Sequence, residues 1–149
     1  MSSKAASSKI PSISKQLGQW AEHQAALLFM QAGFEIVQQN YHSRYGEIDL
    51  IARLQDELIF VEVKARQPTQ HGQAVEVITA AKQVKIVKTA LTFIQEHVEV
   101  NTLYYRFDVI CFDFHQQIAK NLQHDFSQLA YDLQWIENAF TLDADLINL

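Results

Sequence analysis

At 149 residues the chain is long enough to bury one hydrophobic core and leaves little room for a second domain. An apolar share of 48% and a charged share of 19% exclude a disordered or collagen-like chain, and the single cysteine, Cys111, excludes a scaffold closed by its own disulfides. A formal charge of −5 excludes bulk attraction to nucleic acid, but the charge is uneven: residues 107–149 hold seven acids and one base, residues 1–106 eleven bases and ten acids. Any polyanion site must then be local, with a cation to cancel its own acids.

Residues 1–14, with Lys4, Lys9 and Pro11 among serines, read as a flexible tail without the apolar core of a signal peptide. The longest purely apolar run, 25–30, is far short of the ~18 residues of a spanning helix, so the expected compartment is the cytoplasm and no membrane partner is expected. From Lys15 the spacing of Leu17, Ala21, Ala25 and Leu28 predicts a helix, with Gly33 as its stop. Residues 34–41 read as a strand, 42–46 as a turn, 47–53 as a second strand and 54–57 as a polar hairpin connection. Residues 58–66 are the strongest strand, rich in branched and aromatic side chains. Pro68 and Gly72 mark a loop, and Thr79 caps a helix reaching about Val98, with Val84, Val87, Leu91, Ile94 and Val98 at core spacing. A fourth strand follows at 103–112. Residues 113–133 carry no clear pattern, and 135–140 read as a last piece packing back. One domain over 15–140, followed by a C-terminal tail at 141–149, is the expected organisation. Hairpins in the middle and a crossover helix before the last strand imply an α/β fold with a mixed central sheet flanked by helices.

Two strands break the rule that buried strands are apolar. Glu62 and Lys64 are two apart and share one face of the strongest strand; Glu47 and Asp49 share a face of its neighbour, with Ile48, Leu50 and Ala52 on the other. The short connection makes the two strands partners, so Asp49 comes near Glu62, where like charges repel unless a cation intervenes. Two readings stay open on spacing alone: a cross-strand ion pair with Lys64, or a metal site. Two carboxylates and a main-chain carbonyl satisfy Mg²⁺, which keeps several waters; Val63 would offer the carbonyl, because its side chain points to the opposite face. A nearby lysine can orient a water or stabilise a phosphoryl transition state.

The stretch Gly46-Glu47-Ile48-Asp49-Leu50-Ile51-Ala52 followed by Phe60-Val61-Glu62-Val63-Lys64-Ala65-Arg66 resembles the PD-(D/E)XK nuclease core, with twelve residues between Asp49 and Glu62. More closely it resembles the YraN-like family of predicted bacterial endonucleases, whose core is similar to archaeal Holliday junction resolvases. The similarity extends to Gly18-Gln19-Trp20-Ala21-Glu22, Asn40-Tyr41, Arg106-Phe107-Asp108-Val109 and Glu137-Asn138-Ala139-Phe140. It implies a restriction-endonuclease-like core, Asp49, Glu62 and Lys64 as the catalytic set, Glu22 as a fourth member, and Mg²⁺ or Mn²⁺ at Asp49, Glu62 and Val63. It implies a nuclease acting on DNA or RNA, with structure-selective cleavage in view; a non-cleaving nucleic-acid-binding or adaptor protein that keeps the fold is the alternative. One departure is His42, where the family usually has Arg after the Asn-aromatic pair; a phosphate contact there is expected to be weaker or pH-dependent.

Further residues are secondary. Lys82, Lys85 and Lys88 recur near the start of the second helix, either as a solvated face or, at Lys82 and Lys85, as nucleic-acid contacts together with Arg44 and Arg66. Gln83 resembles a polar position of related nucleases on this helix, and Glu47 is expected to support the site. Arg106 and Asp108 share a strand face and read as a structural ion pair. The six histidines show no zinc spacing, Cys111 reads as a core residue, and four glycines form no phosphate loop.

Overall fold

A computed structural model describes residues 10–70, 78–118 and 125–141. Gly72 and the two outermost tail segments assigned from sequence therefore fall outside the described residues, wholly or in large part. Helix α1 (Ile13–Gln31) starts two residues before the expected Lys15, because the Ser12 hydroxyl accepts the Lys15 N–H at 3.2 Å and caps the first turn. It ends where Gly33 takes φ +92°, a conformation that costs a glycine nothing. Strands β1 (Glu35–Ser43), β2 (Gly46–Leu54) and β3 (Glu57–Arg66) form an antiparallel meander. Helix α2 (Ala80–Glu96), capped by Thr79 as expected, crosses over to β4 (Tyr104–Phe114), which runs parallel to β3. A fifth strand, β5 (Tyr131–Phe140), returns antiparallel along β4. The sheet order is β1-β2-β3-β4-β5, a mixed α/β architecture consistent with a restriction-endonuclease-like core. Among the described residues no helix is long and apolar enough to cross a membrane.

The two helices cover opposite faces of the sheet. Under α1 lie Leu50, Ala52, Ile59, Val61, Ile110 and Phe112; under α2 lie Ile51, Leu58, Phe60, Phe107, Val109 and Cys111. Both faces of β3 and β4 are thus buried, which is why those segments read as continuous apolar runs.

Four expectations are corrected. The segment 135–140 is the end of a full strand, hidden from pattern reading because none of its side chains is fully buried. Val98 lies beyond α2 in a single 3₁₀ turn (Val98–Val100) and is 67% exposed; the buried row of α2 is Ile86, Val87, Ala90 and Phe93. Leu28 only flanks the α1 core, whose stripe closes with Ala26 and Phe29. Ile48 does not share the surroundings of Leu50 and Ala52: it packs in the α2 cluster, so β2 changes the side it presents at Asp49.

Candidate active site where two strands part

The ladder between β2 and β3 runs from Leu54↔Glu57 to Leu50↔Val61 and stops there. The next step would set Asp49 opposite Glu62. Instead the strands part, and the Asp49 side chain substitutes for the missing ladder: its Oδ2 accepts the Val63 N–H at 2.8 Å. A residue's N–H and C=O leave a strand on the same side, so the Val63 carbonyl also faces the side that β2 has vacated. On the other flank Asn40, at φ +52°, sits in β1 between the pairs Gln39↔Leu50 and Tyr41↔Ile48. A left-handed residue at that point twists β1 and β2 where β2 changes face.

The parting opens a cleft of about 650 Å³. Helix α1 lines it with Ser14, Leu17, Gly18 and Glu22, the two strands with Glu47, Asp49, Glu62, Val63 and Lys64, and α2 with Lys82. Asp49 and Glu62 are each only 8% exposed. Burial, and after it the Asp49 carboxylate alongside, pushes the Glu62 carboxyl up to about 8. Lys64 Nζ stands 3.9 Å from Glu62 Oε1, an ion pair along β3 itself rather than across to β2. Burial and the Lys64 ammonium next to it lower the Lys82 amine, although Glu62 and Asp49 pull the other way. Burial, then Asp49 and Glu47, raise Glu22, and a hydrogen bond from Asn40 partly offsets them. The site is a crowd of like charges of both signs, four acids and two ammonium groups held at the end of a ladder.

Asp49, Glu62, Lys64, Glu22 and Glu47 all line this cleft, together with Val63. Glu47 is the most open of the acids, with its carboxylate 3.3 Å from His42 Nδ1. Gln83 is turned away: its amide donates to the Ile78 carbonyl at 3.1 Å and steadies the start of α2. Arg66 also lines the cleft, but its Nε and Nη2 donate to Asp113 at 2.7 and 2.9 Å in a buried pair. Arg44 and Lys85 are exposed and do not line the cleft. Arg106 forms the expected structural pair with Asp108, at 2.9 and 3.0 Å. Cys111 is fully buried, its thiol pushed up to about 11, and is inert as a nucleophile.

Sequence reasoning did not link Lys82 to Lys64, which lie on different elements, nor give Asn40 a role beyond a motif. An asparagine inside a strand pattern was the available signal for a left-handed residue. Among the described residues no three His, Cys, Asp or Glu side chains gather to hold a metal ion. The donor set is two carboxylates and one carbonyl, which suits a hard cation that retains waters rather than zinc.

The sequence model of "Uncharacterised protein family UPF0102" matches residues 21–112, which contain every cleft-lining acid and both cleft lysines. A UPF0102 protein of Acinetobacter baumannii (strain AYE) is 58% identical over 131 residues, 88% of this chain and 98% of that protein. One from Vibrio parahaemolyticus is 35% identical over 127 residues, 85% and 93% respectively. One from Clostridium acetobutylicum is 34% identical over 130 residues, 87% and 98%. These matches bear out the YraN-like resemblance seen in the motifs.

Proposed function

The chain belongs to the UPF0102 family, and we propose that this member is a divalent-metal-dependent nuclease hydrolysing phosphodiester bonds of nucleic acid. The observation that carries the reading is the buried pair Asp49 and Glu62 at an open cleft. Two carboxylates taken out of water beside each other are costly, and a cation between them removes that cost. Asp49, Glu62 and the Val63 carbonyl fit Mg²⁺ or Mn²⁺. Such an ion, when bound, neutralises phosphate charge and makes water more acidic.

The chain's own groups do the rest. The Val63 amide fixes one oxygen of Asp49, so that carboxylate is preorganised rather than free to rotate. Lys64 sits within reach of Glu62 and supplies a compact positive charge for a water or a phosphate oxygen. Lys82 adds a second ammonium from the α2 side, and Glu22 stands near Asp49 with its acidity reduced. Hydrolysis adds water across one P–O bond, leaving a phosphomonoester and a hydroxyl.

The test is calorimetric titration of Mn²⁺ into wild type, Asp49→Ala and Lys64→Met, followed by cleavage assays on branched, flapped, single-stranded and linear DNA and RNA. Asp49→Ala should lose Mn²⁺ affinity with its fold intact. Lys64→Met and Lys64→Arg should keep metal binding and stability yet lose cleavage by ~100-fold or more, since Arg's planar fork cannot replace a point charge. Unchanged Mn²⁺ affinity in Asp49→Ala, or full cleavage by Lys64→Met, overturns the assignment. Mn²⁺ binding without cleavage of any substrate would make this a non-cleaving nucleic-acid-binding module.

A further inference from the structure

The cations of the described surface fall into two groups. Lys64, Arg66 and Arg106 are each met by a carboxylate, at 3.9, 2.7 and 2.9 Å. Lys15, Arg44, Arg53, Lys82, Lys85 and Lys88 have no carboxylate within ion-pair distance among the described residues. Lys15 and Arg53 stand apart, on α1 and near the end of β2 away from its turn with β1; the other four are gathered. The three lysines occupy the first part of α2, which carries no Asp or Glu before Glu96. Lys82 stands in the cleft, and at 1.5 Å per residue Lys88 lies about 9 Å further along the helix axis.

The turn between β1 and β2 is fastened to this row. Ser43 Oγ donates to Thr89 Oγ1 of α2 at 3.0 Å, and the Lys85 Cβ lies against Gly46. The Tyr45 ring joins the two elements, with the Arg44 guanidinium 4.8 Å and the Lys88 ammonium 5.4 Å from its centre. Arg44 also donates to the Tyr45 hydroxyl at 2.5 Å. The result is a fixed basic ridge with an aromatic side chain set into it, continuous with the cleft at Lys82.

We propose that this ridge is the track along which one unpaired nucleic-acid strand is led into the cleft, a proposal that rests on the hydrolytic reading of the cleft. A cation row about 9 Å long along the helix axis can meet only a few successive phosphates of one strand. Basic grooves interleaved with aromatic rings are how proteins hold single strands without reading sequence. These four cations lie on α2 and on the turn fastened to it. The α1 side of the cleft offers Glu22, and Lys15, the only Lys or Arg in α1, is exposed and does not line the cleft. A duplex would set its second strand's phosphates against that acidic side. Glu47, the acid nearest the ridge in sequence, is turned to His42.

The test is fluorescence anisotropy of the full chain in EDTA, where no cleavage occurs. The probes are a short labelled oligo(dT), an oligo(rU) and a duplex of equal length. At least one single strand should bind about tenfold tighter than the duplex, the better of the two identifying the preferred sugar. Arg44→Glu/Lys85→Glu, both at exposed positions, should weaken that binding about tenfold while Lys15→Glu leaves it unchanged. Equal or tighter duplex binding, equal loss in Lys15→Glu, or no binding by wild type overturns the track. Mn²⁺ affinity of the same double variant should stay at the wild-type value, so failure of the track is distinguishable from failure of the metal site.

Discussion

Glu62, pushed up to about 8 from an ordinary 4.5, keeps its proton over a range in which the unfolded chain has released it. The folded, metal-free protein then binds more protons than the unfolded chain between those two values, so its stability falls as pH rises across that window. Urea midpoints measured in EDTA from about pH 5 to about pH 8 should decline, and Glu62→Gln should flatten the decline, because the amide has no proton to lose. A wild-type midpoint that does not fall would show that Glu62 is not protonated in the native state. Metal binding competes with that same proton, so Mn²⁺ affinity should rise over the same interval. At this scale Asp49, Glu62 and Lys64 were readable because charged residues at a two-residue period stand out in apolar strands. Lys82 and Glu22 were harder to place: nothing local tells a helix lysine or glutamate that faces a cleft from one that faces water.

The elements show where patterns carry and where they fail. Strands β3 and β4 are buried on both faces and announce themselves by composition. β5 is an edge strand that buries no side chain fully, and its attachment depends on a residue of its neighbour. Asp108, wholly buried, accepts from Arg106, from the Trp135 indole at 3.0 Å and from the Asn138 amide at 2.9 Å. The last bond lies inside a bulge: Phe107 pairs with Phe140 and Val109 with Ile136, so β5 inserts extra residues opposite Asp108, with Asn138 at φ +51°. The ion pair was legible from Arg106 and Asp108 sharing a strand face, but its use as a fastening for β5 was not. Asp108→Ala leaves three donors without their acceptor, one of them a partly buried guanidinium, and should cost about 3–5 kcal/mol by urea denaturation. Amide exchange in β5 should quicken before that in β3; equal protection in both strands would mean that the Phe107–Phe140 stack alone holds the edge.

Across the whole molecule the acids and bases are divided along the chain, and the fold decides what that division does. Residues 107–149 carry net −6 and residues 1–106 net +1, so the protein as a whole repels polyanions. On the proposed reading, affinity for nucleic acid comes from the few free cations concentrated at one place, Lys82, Lys85, Lys88 and Arg44, from a helix and a turn far apart in sequence. The sequence offered Arg44, Lys82 and Lys85 as contacts but did not show that they stand together, since three lysines at helical spacing read equally well as a solvated face. Their concentration fixes a measurable quantity, the slope of log K against log salt. At about −0.7 per phosphate neutralised on a single strand, the four ridge cations give a slope of about −2.8. Anisotropy titrations of an oligo(dT) over a range of KCl concentrations should return that value, reduced by about 0.7 in Lys85→Glu. A slope steeper than about −6 would require more contacts than the cleft and ridge contain, and would place the binding surface elsewhere.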